Sequence, residues 1–318
     1  VDDALRGVEQ ARRMGADLVF GFGGGSALDA SKAIAALAVN EGDIFDYLEV
    51  IGRSQPLAKP ALPVIAVPTT AGTGSEVTRN SVLASPQHRV KVSVRSPHML
   101  PRIAIIDPVL TYDLPPAVTA ATGMDALTHA VEAHMNRWPH AETPLHCTSA
   151  VRMIFANLPR ACTEGTDLAA REAMALASFY AGLAFTKAYV GYVHAFSHKL
   201  GGMYGVPHGL ANAIVLPYVL DYIQGAPLAQ ERLAQLAVAI GAGTAAESKS
   251  ALAARFVERV RELNRAVGIP EKLAALKAAD VPEIARAAMI EAHRDYPVPK
   301  NMTLAEAEGL LRRLLPAA

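Results

Sequence analysis

The sequence predicts a two-domain protein in which an α/β domain is followed by an all-helical domain. Its 318 residues exceed the usual size of a single hydrophobic core. Strand and helix patterns alternate up to about residue 110, whereas only apolar patterns with the helical period of 3.6 residues follow Pro115 and Pro116. We therefore expect residues 1–112 to form the first domain and residues 113–318 to form the second.

The composition excludes several classes of function. Hydrophobic residues make up 51% of the chain, and Lys+Arg and Asp+Glu are equal at 30 each, without a basic run. Nucleic acid and membrane are therefore not expected as partners. Only Cys147 and Cys162 are present, no apolar run reaches the ~20 residues that span a bilayer, and no signal peptide is visible. We expect a cytoplasmic protein with reduced thiols.

The N-terminal elements begin with an amphipathic helix over Asp2–Met14. The apolar run Ala16–Phe22 is typical of a strand buried in a parallel sheet. It leads through Gly23-Gly24-Gly25-Ser26 into a helix that continues over Leu28–Val39. A strand, a glycine turn and a helix N-terminus can hold a phosphate, because glycines let the backbone approach and free N–H groups point at the anion. A tight turn with a serine cap is the alternative.

A second polar loop follows the next apolar strand, Pro63–Val67. Residues 68–78, PTTAGTGSEVT, carry four threonines, two glycines and a serine. Their hydroxyls and amides could surround a diphosphate or a ribose. The alternative is a capped turn in which Thr73 or Ser75 begins a helix.

The last strands of this domain are predicted further along the chain. The alternation over Val82–Val94, broken at Pro86-Gln87-His88, indicates a hairpin. Lys91 lies on one of its strands, either as a cation for phosphate or ribose or as a solvated lysine. Arg102–Ile106 is expected to form the final strand, which ends at Asp107-Pro108.

Alanine-rich helical patterns fill the rest of the chain. The predicted helices are Ala117–Asn136, Leu145–Leu158, Leu168–Tyr189, Val193–Met203, Leu210–Gln224, Leu228–Ile240, Lys249–Val267 and a group of short helices from Glu271.

Three histidines lie within fifteen residues of an otherwise apolar or glycine-rich segment, GYVHAFSHKLGGMYGVPHG. His194 and His198 are four residues apart and therefore share one face of a helix. Pro207 suits the first position of the next helix, which places His208 in its first turn. The positive end of the helix dipole disfavours imidazolium there, and a metal requires neutral imidazole.

A second half-site lies in GMDALTHAVE, residues 123–132. Asp125 and His129 are also four residues apart on an apolar helical face. One carboxylate with three imidazoles is a suitable ligand set for Fe²⁺ or Zn²⁺. A satisfied core histidine or an ion pair is the alternative for each half-site alone. Because the glycine loops and the histidines fall in different domains, we expect the ligand cleft between the domains.

Taken together, these motifs resemble those of the iron-containing (group III) alcohol dehydrogenases, within the dehydroquinate synthase-like fold. The resemblance implies a Rossmann-like N-terminal domain, a helical C-terminal domain and a catalytic Fe²⁺ in the cleft. It is carried by GGGS at 23–26 with Asp29 and Lys32, PTTAGTGSEVT at 68–78, DP at 107–108, GMDALTHAVE at 123–132, and HAxxHxxGxxxxxPHGxxNAxxLP at 194–217.

The resemblance also implies roles for individual residues. The metal ligands would be Asp125, His129, His194 and His208. His198 would lie near the nicotinamide and the substrate, and we take it as the candidate for passing the proton. The cofactor-binding residues would be Gly24, Gly25, Ser26 and Asp29 at the pyrophosphate, Thr69, Thr70, Thr73 and Ser75 along the remainder, and Lys91 at the ribose. By spacing, Asn80, Val82 and Phe185 would face the substrate.

The implied reaction is hydride transfer between a short-chain alcohol or diol and the nicotinamide of NAD(H) or NADP(H), with the alcohol ionised at the metal. Fe²⁺ is expected, and Zn²⁺ is the alternative that the same ligands accept. A homodimer is expected from the resemblance alone. Two other functions stay open: a metal-dependent lyase of the dehydroquinate synthase type, and a catalytically impaired paralogue.

Two departures from the family pattern are visible. The family begins with further strand and helix units, including an acidic residue that helps to select NAD over NADP, and this chain opens after them. We therefore expect either a fragment or a trimmed fold. Near the C-terminus, where many relatives carry an Asn-Pro-Arg element, this chain has residues 294–300, RDYPVPK.

Overall fold

The computed structural model describes residues 1–49, 53–85, 90–138 and 140–316, and it confirms an α/β region followed by helices. The first part comprises α1 (Asp2–Met14), β1 (Val19–Gly23), α2 (Gly25–Val39), α3 (Ile44–Tyr47), β2 (Val64–Pro68), β3 (Asn80–Ser85), β4 (Val90–Arg95) and β5 (Ile103–Ala104). The second comprises α4 (Pro116–Met135), α5 (Thr143–Thr163), α6 (Leu168–Ala188), α7 (Tyr192–Tyr204), α8 (His208–Ile223), α9 (Pro227–Ala239), α10 (Lys249–Ala266), α11 (Val281–Asp295) and α12 (Leu304–Leu314).

A parallel sheet with the strand order β1-β2-β5 organises the first part. β1 and β2 pair in register from Val19 with Val64 to Gly23 with Pro68. Both strands therefore end at the same edge of the sheet, and the amide of Thr69 donates to the carbonyl of Gly23 at 3.0 Å. This register brings the two predicted loops, 23–26 and 68–78, side by side at the carboxyl edge, where ligands bind in open α/β sheets.

Among the described residues one face of β1 is covered, whereas the apolar run Ala16–Phe22 predicts a strand buried in a parallel sheet. α2 packs on one face of the sheet through Leu28 and Ala35, against Val64 and Ala66. Because successive side chains point to opposite faces, Phe20 and Phe22 lie on the other face, where they are 58% and 55% exposed.

A buried ion pair joins α2 to the second loop and to the hairpin. The ammonium group of Lys32 lies 2.9 Å from Asp29 Oδ1 and donates to the carbonyl of Ser75 at 3.0 Å. The other carboxylate oxygen of Asp29 accepts from the amide of Val82 at 2.9 Å. A fully buried lysine is tolerated only with such partners, so this network holds three segments in fixed relation.

The predicted hairpin is observed as the antiparallel pair of β3 and β4, in which Asn80 lies opposite Arg95. The predicted break at Pro86-Gln87-His88 lies outside the described residues. Lys91 belongs to β4, and its side chain also lies outside the described part.

The core of the second part is built around α4, which is buried almost continuously from Gly123 to Met135 and packs against α5, α6 and α8. The half-site histidines lie in helices close to their predicted bounds, except that Pro207 is the N-cap of α8 and His208 is its first residue. Within the described residues, no individual helix meets the length and hydropathy of a bilayer span, although α6 and α7 do so jointly across a 104° bend.

The buried carboxyl group of Glu76 generates a prediction for stability. Glu76 lies in a short 3₁₀ helix, Ser75–Val77, and burial raises its pKa from 4.5 to about 7, with Lys32 acting in the opposite direction. A carboxyl group with a raised pKa stabilises the fold below the pKa of the unfolded chain, and this contribution is lost as the pH rises from 4.5 to about 7. The expected loss is about 3 kcal/mol, at ~1.4 kcal/mol for each unit of pKa.

The variant Glu76→Gln lacks this ionisation. We expect the difference in free energy of unfolding, variant minus wild type, to increase between pH 5 and pH 8. Urea denaturation of both proteins across this range measures it. Because other titrating groups are common to both proteins, only the difference between the two curves is informative. Curves that run parallel across this range would contradict the prediction.

Candidate active site

A cleft of about 300 Å³ lies between the sheet region and the helices, as the sequence predicts. Its walls come from the start of α2, the loop and strand over residues 73–82, and the helices α4, α6, α7 and α11. Of the sequence-predicted site residues, those that line it are Gly25, Ser26, Asp29, Thr73, Ser75, Asn80, Val82, Asp125, His129, Phe185, His194, His198 and His208.

Ligand atoms converge at one end of this cleft. Candidate ligand atoms of Asp125, His129 and His194 all lie within 4.8 Å of one another, and all three residues are buried. α4 contributes the first two on consecutive turns and α7 contributes the third. Nε2 of His208, at the start of α8, lies 3.7 Å from Asp125 Oδ1. The structure thus brings the two half-sites of the sequence to one point.

Hydrogen bonds to the backbone and to a carboxylate set the orientation of two imidazoles. Nδ1 of His129 lies 3.3 Å from the carbonyl of Gly72, and Nδ1 of His194 lies 2.6 Å from Glu132 Oε2. Both contacts assign the proton to Nδ1 and leave Nε2 for a cation, which is the usual arrangement of metal-binding histidines.

Glu132 also fixes the start of α7. Its two oxygens accept from the amides of Gly191 at 2.8 Å and Val193 at 2.7 Å, in addition to the imidazole of His194. A Cβ atom at Gly191 would lie 2.9 Å from Glu132 Oε1, so the absence of a side chain lets the two segments meet.

α8 approaches α4 closely for a similar reason. A Cβ atom at Gly209 would lie 2.3 Å from the carbonyl oxygen of Ala121, so only glycine allows His208 to sit this near Asp125. One turn further on, the amide nitrogen of Asn212 donates to Asp125 Oδ1 at 2.6 Å and lies 3.1 and 3.2 Å from Nε2 of His194 and His208.

The electrostatics of this cluster suit a divalent cation. Burial lowers the pKa of His129, and burial together with neighbouring imidazoles lowers that of His194 well below its ordinary value. Both rings are therefore neutral at pH 7, the form that binds metals. Asn212 is fully buried, and its Oδ1 has no hydrogen-bond partner among the described residues. A carboxylate with neutral imidazoles fits a bound divalent cation.

His198 is oriented by residues that the sequence analysis missed. Its Nδ1 lies 2.7 Å from Glu291 Oε1 on α11, and the hydroxyl of Tyr296 donates to the same oxygen. The ring of His198 stacks on that of His208, with centroids 5.3 Å apart. Since Nδ1 is held by Glu291, Nε2 is the nitrogen that is left to the cleft.

The predicted cofactor residues fall into two groups. Gly25, Ser26 and Thr73 line the cleft at the start of α2, where a Cβ atom on Gly25 would lie 2.6 Å from the side chain of Thr73. Asp29 and Ser75 also line it, but the hydroxyl of Ser75 donates to Asp29, whose oxygens also hold Lys32 and Val82. Asp29 and Ser75 therefore hold the start of α2 against the loop over residues 68–78 and the strand β3.

Three further cofactor candidates, Gly24, Thr69 and Thr70, belong to the same two loops. Gly24 is the N-cap of α2, and Thr69 continues the end of β2. The hydroxyl of Thr70 is buried beside Gly24 and has no hydrogen-bond partner among the described residues. An unsatisfied hydroxyl next to a glycine turn fits a phosphate-bearing ligand.

The substrate candidates line the other side of the cleft. The ring of Phe185 stacks on that of His129 with centroids 4.2 Å apart, which places an apolar wall beside the ligand cluster. Asn80 and Val82 contribute from β3. The cleft is also lined by Glu49, Arg95 and Tyr189, for which no sequence motif predicts a role.

Some of the missed residues had a signal in the sequence and others had none. Glu132 follows His129 by three residues and Asn212 follows His208 by four, so both share a helical face with a named ligand. Glu291 contacts His198 across 93 residues of sequence, and no periodicity links two such positions.

Glu132 generates a prediction for metal binding. The variant Glu132→Gln keeps the volume of the side chain but replaces one oxygen by an NH₂ group. That group cannot accept the hydrogen bonds that the oxygen accepts from the backbone of α7 or from the imidazole of His194. We expect the affinity for Fe²⁺ or Zn²⁺ to fall about 10- to 100-fold, the usual effect of removing such a partner. Competition with a chromophoric chelator measures it. The matched control Glu142→Gln changes an exposed carboxylate that pairs with Lys187, and an equal loss in both variants would refute the role.

Comparison with known proteins agrees with this geometry. Residues 1–108 match the iron-containing alcohol dehydrogenase family, and residues 119–315 match the C-terminal part of the Fe-containing alcohol dehydrogenase family. The 1,3-propanediol dehydrogenase of Klebsiella pneumoniae is 42% identical over 285 residues, which are 89% of this chain and 72% of that protein. Alcohol dehydrogenase 4 of Saccharomyces cerevisiae is 38% identical over 301 residues, 94% of this chain and 76% of that protein.

Solved structures show the same similarity. A 1,3-propanediol oxidoreductase superposes with a TM-score of 0.91 at 38% identity, covering 98% of this chain and 81% of that one. A sulfoacetaldehyde reductase from Bifidobacterium kashiwanohense in complex with NAD⁺ superposes with a TM-score of 0.87 at 32% identity, covering 99% and 80%. Both halves of the chain, its fold and its buried Asp/His/His cluster agree, and the chain therefore belongs to the iron-containing alcohol dehydrogenase family.

Proposed function

We propose that this alcohol dehydrogenase transfers a hydride reversibly between a short-chain alcohol or diol and NAD(H) or NADP(H). The observation that carries the proposal is the cleft in which the ligand cluster of α4, α7 and α8 faces the N-terminus of α2. A relative acts on 1,3-propanediol by its name, and a structural neighbour binds NAD⁺. These two findings support the short alcohol and, of the two dinucleotides, NAD(H).

The dinucleotide is assigned to the first domain, residues 1–112, with its pyrophosphate at Gly24, Gly25 and Ser26. The free N–H groups of the first turn of α2 attract an anion, and the helix dipole adds to this attraction. The hydroxyls of Thr70 and Thr73 lie beside this turn. The nicotinamide end is assigned to the side of the cleft that holds His198.

The cation is assigned to Asp125, His129, His194 and His208 in the second domain, residues 113–318. We propose Fe²⁺, in keeping with the family, and Zn²⁺ is the alternative that the same ligands would accept. When bound, such a cation lowers the pKa of an alcohol hydroxyl and polarises a carbonyl group. Glu132 and Gly72 keep the two buried imidazoles aimed at it.

His198 is assigned the proton transfer. Glu291 accepts from its Nδ1, so Nε2 takes the proton from the alcohol side and returns it when an aldehyde is reduced. Phe185 excludes water from one side of the ligand cluster, because its ring covers His129.

The roles of His194 and His198 can be separated by metal content. We expect His194→Ala to lose the metal, because it removes a ligand from a buried cluster. We expect His198→Phe to keep its iron and to lose about 10²- to 10⁴-fold in turnover, the usual contribution of a positioned proton donor. Elemental analysis of both variants after loading with Fe²⁺ checks the first effect, and steady-state rates check the second. Equal metal loss in the two variants would refute the separation of roles.

The function itself is tested by a rate panel. Propanal, butanal, 3-hydroxypropanal and lactaldehyde are offered with NADH and with NADPH to protein loaded with Fe²⁺ without oxygen. We expect oxidation of the reduced cofactor that requires the metal and is abolished by a chelator. A protein that binds Fe²⁺ and NADH but oxidises neither cofactor with any aldehyde would be a catalytically impaired paralogue.

Two further features stay predictions. The division of the chain after residue 112 is tested by limited proteolysis, and the homodimer by light scattering on the purified chain.

A further inference from the structure

A strained backbone lies at the edge of the cleft. α6 ends at Ala188, and the next residue, Tyr189, has φ 64° and ψ −177°. Residues with a side chain rarely adopt this region, because it strains their backbone, whereas glycine enters it freely. A tyrosine retained in such a conformation indicates that its side chain has a use.

The ring of Tyr189 is held on three sides. Trp138 packs against it edge-on with centroids 5.0 Å apart, and the guanidinium group of Arg95 lies 5.2 Å from the ring centroid. The hydroxyl accepts from Arg79 at 3.3 Å. Arg95 is itself paired with Glu49 at 2.8 Å, so the cation that faces the ring is fixed.

Tyr189 lies in the same cleft as the ligand cluster, close in the chain to Phe185. Tyr189 follows Phe185 by four residues, and the amide of Tyr189 donates to the carbonyl of Phe185 at 2.7 Å. Both residues line the cleft, and the ring of Phe185 stacks on that of His129 in the ligand cluster. Phe185 therefore lies beside the ligand cluster, and Tyr189 lines the same cleft four positions further along the chain.

We propose that Tyr189 determines substrate length: its ring closes the wall beyond Phe185 and restricts the cleft to short alcohols and aldehydes. This inference rests on the proposed function, because it assumes that the substrate oxygen lies at the ligand cluster and that the carbon chain follows Phe185. The strained backbone places the ring there. Arg95, Arg79 and Trp138 keep it from turning away.

Three substitutions of Tyr189 distinguish the effect of its ring from the effect of its strained backbone. Tyr189→Gly removes both, Tyr189→Ala removes the ring but keeps a side chain in the strained conformation, and Tyr189→Phe keeps the ring and loses only the bond from Arg79. The readouts are the ratio of kcat/KM for hexanal to that for propanal, and the midpoint of thermal unfolding without substrate.

We expect the hexanal-to-propanal ratio to rise about tenfold or more in the glycine and alanine variants, since each methylene accommodated in an apolar pocket changes kcat/KM by about tenfold or more. The phenylalanine variant should stay within about twofold of the wild type. The glycine variant should unfold a few degrees above the alanine variant, because only glycine relieves the strain.

Failure of the inference differs from failure of the proposed function. A wild type that reduces propanal, with an unchanged ratio in the glycine and alanine variants, would overturn the role of Tyr189 alone. Equal unfolding midpoints for these two variants would overturn the claim that strain positions the ring. A wild type that reduces no aldehyde would overturn the proposed function and, with it, the inference.

Discussion

The carboxylate of Glu132 is the contact on which the rest of the active site depends. It lies within α4 and accepts from Gly191, Val193 and His194 at the start of α7. A buried carboxylate is costly without such partners, and burial raises its pKa to about 8 while these hydrogen bonds act in the opposite direction. The same hydrogen bonds therefore satisfy both buried oxygens, set the direction of α7 and aim an imidazole at Asp125.

The cofactor side of the cleft is organised in a comparable way by Lys32. Its ammonium group joins α2 to the loop over residues 68–78 through Asp29 and the carbonyl of Ser75. Parallel strands in register bring the two loops to one edge, and the buried ion pair then holds them together. Asp29 and Ser75, which the family resemblance assigned to the cofactor, thus contribute rigidity to the site as well. A rigid loop loses less conformational entropy when it binds a dinucleotide.

Glycines and one strained tyrosine show how tightly the helices approach around the cleft. Gly209 lets α8 reach α4, and Gly191 lets α7 reach Glu132, because a Cβ atom at either position would collide. At Tyr189 the chain keeps a large side chain where glycine would cost less. The helices therefore approach each other most closely at the ligand cluster, and the strained backbone lies at Tyr189, in the lining of the same cleft.

The features that the sequence predicts correctly are those that depend on the spacing of neighbouring residues. The predicted helix over Asp2–Met14 has the observed bounds, and the periodicity predicts correctly that Asp125 and His129 share one helical face. Three other features arise from packing: α2 covers one face of β1, Glu291 orients His198, and the guanidinium group of Arg95 lies over the ring of Tyr189. These contacts join residues that are distant in the chain, and their geometry exists only after the helices and the sheet have packed.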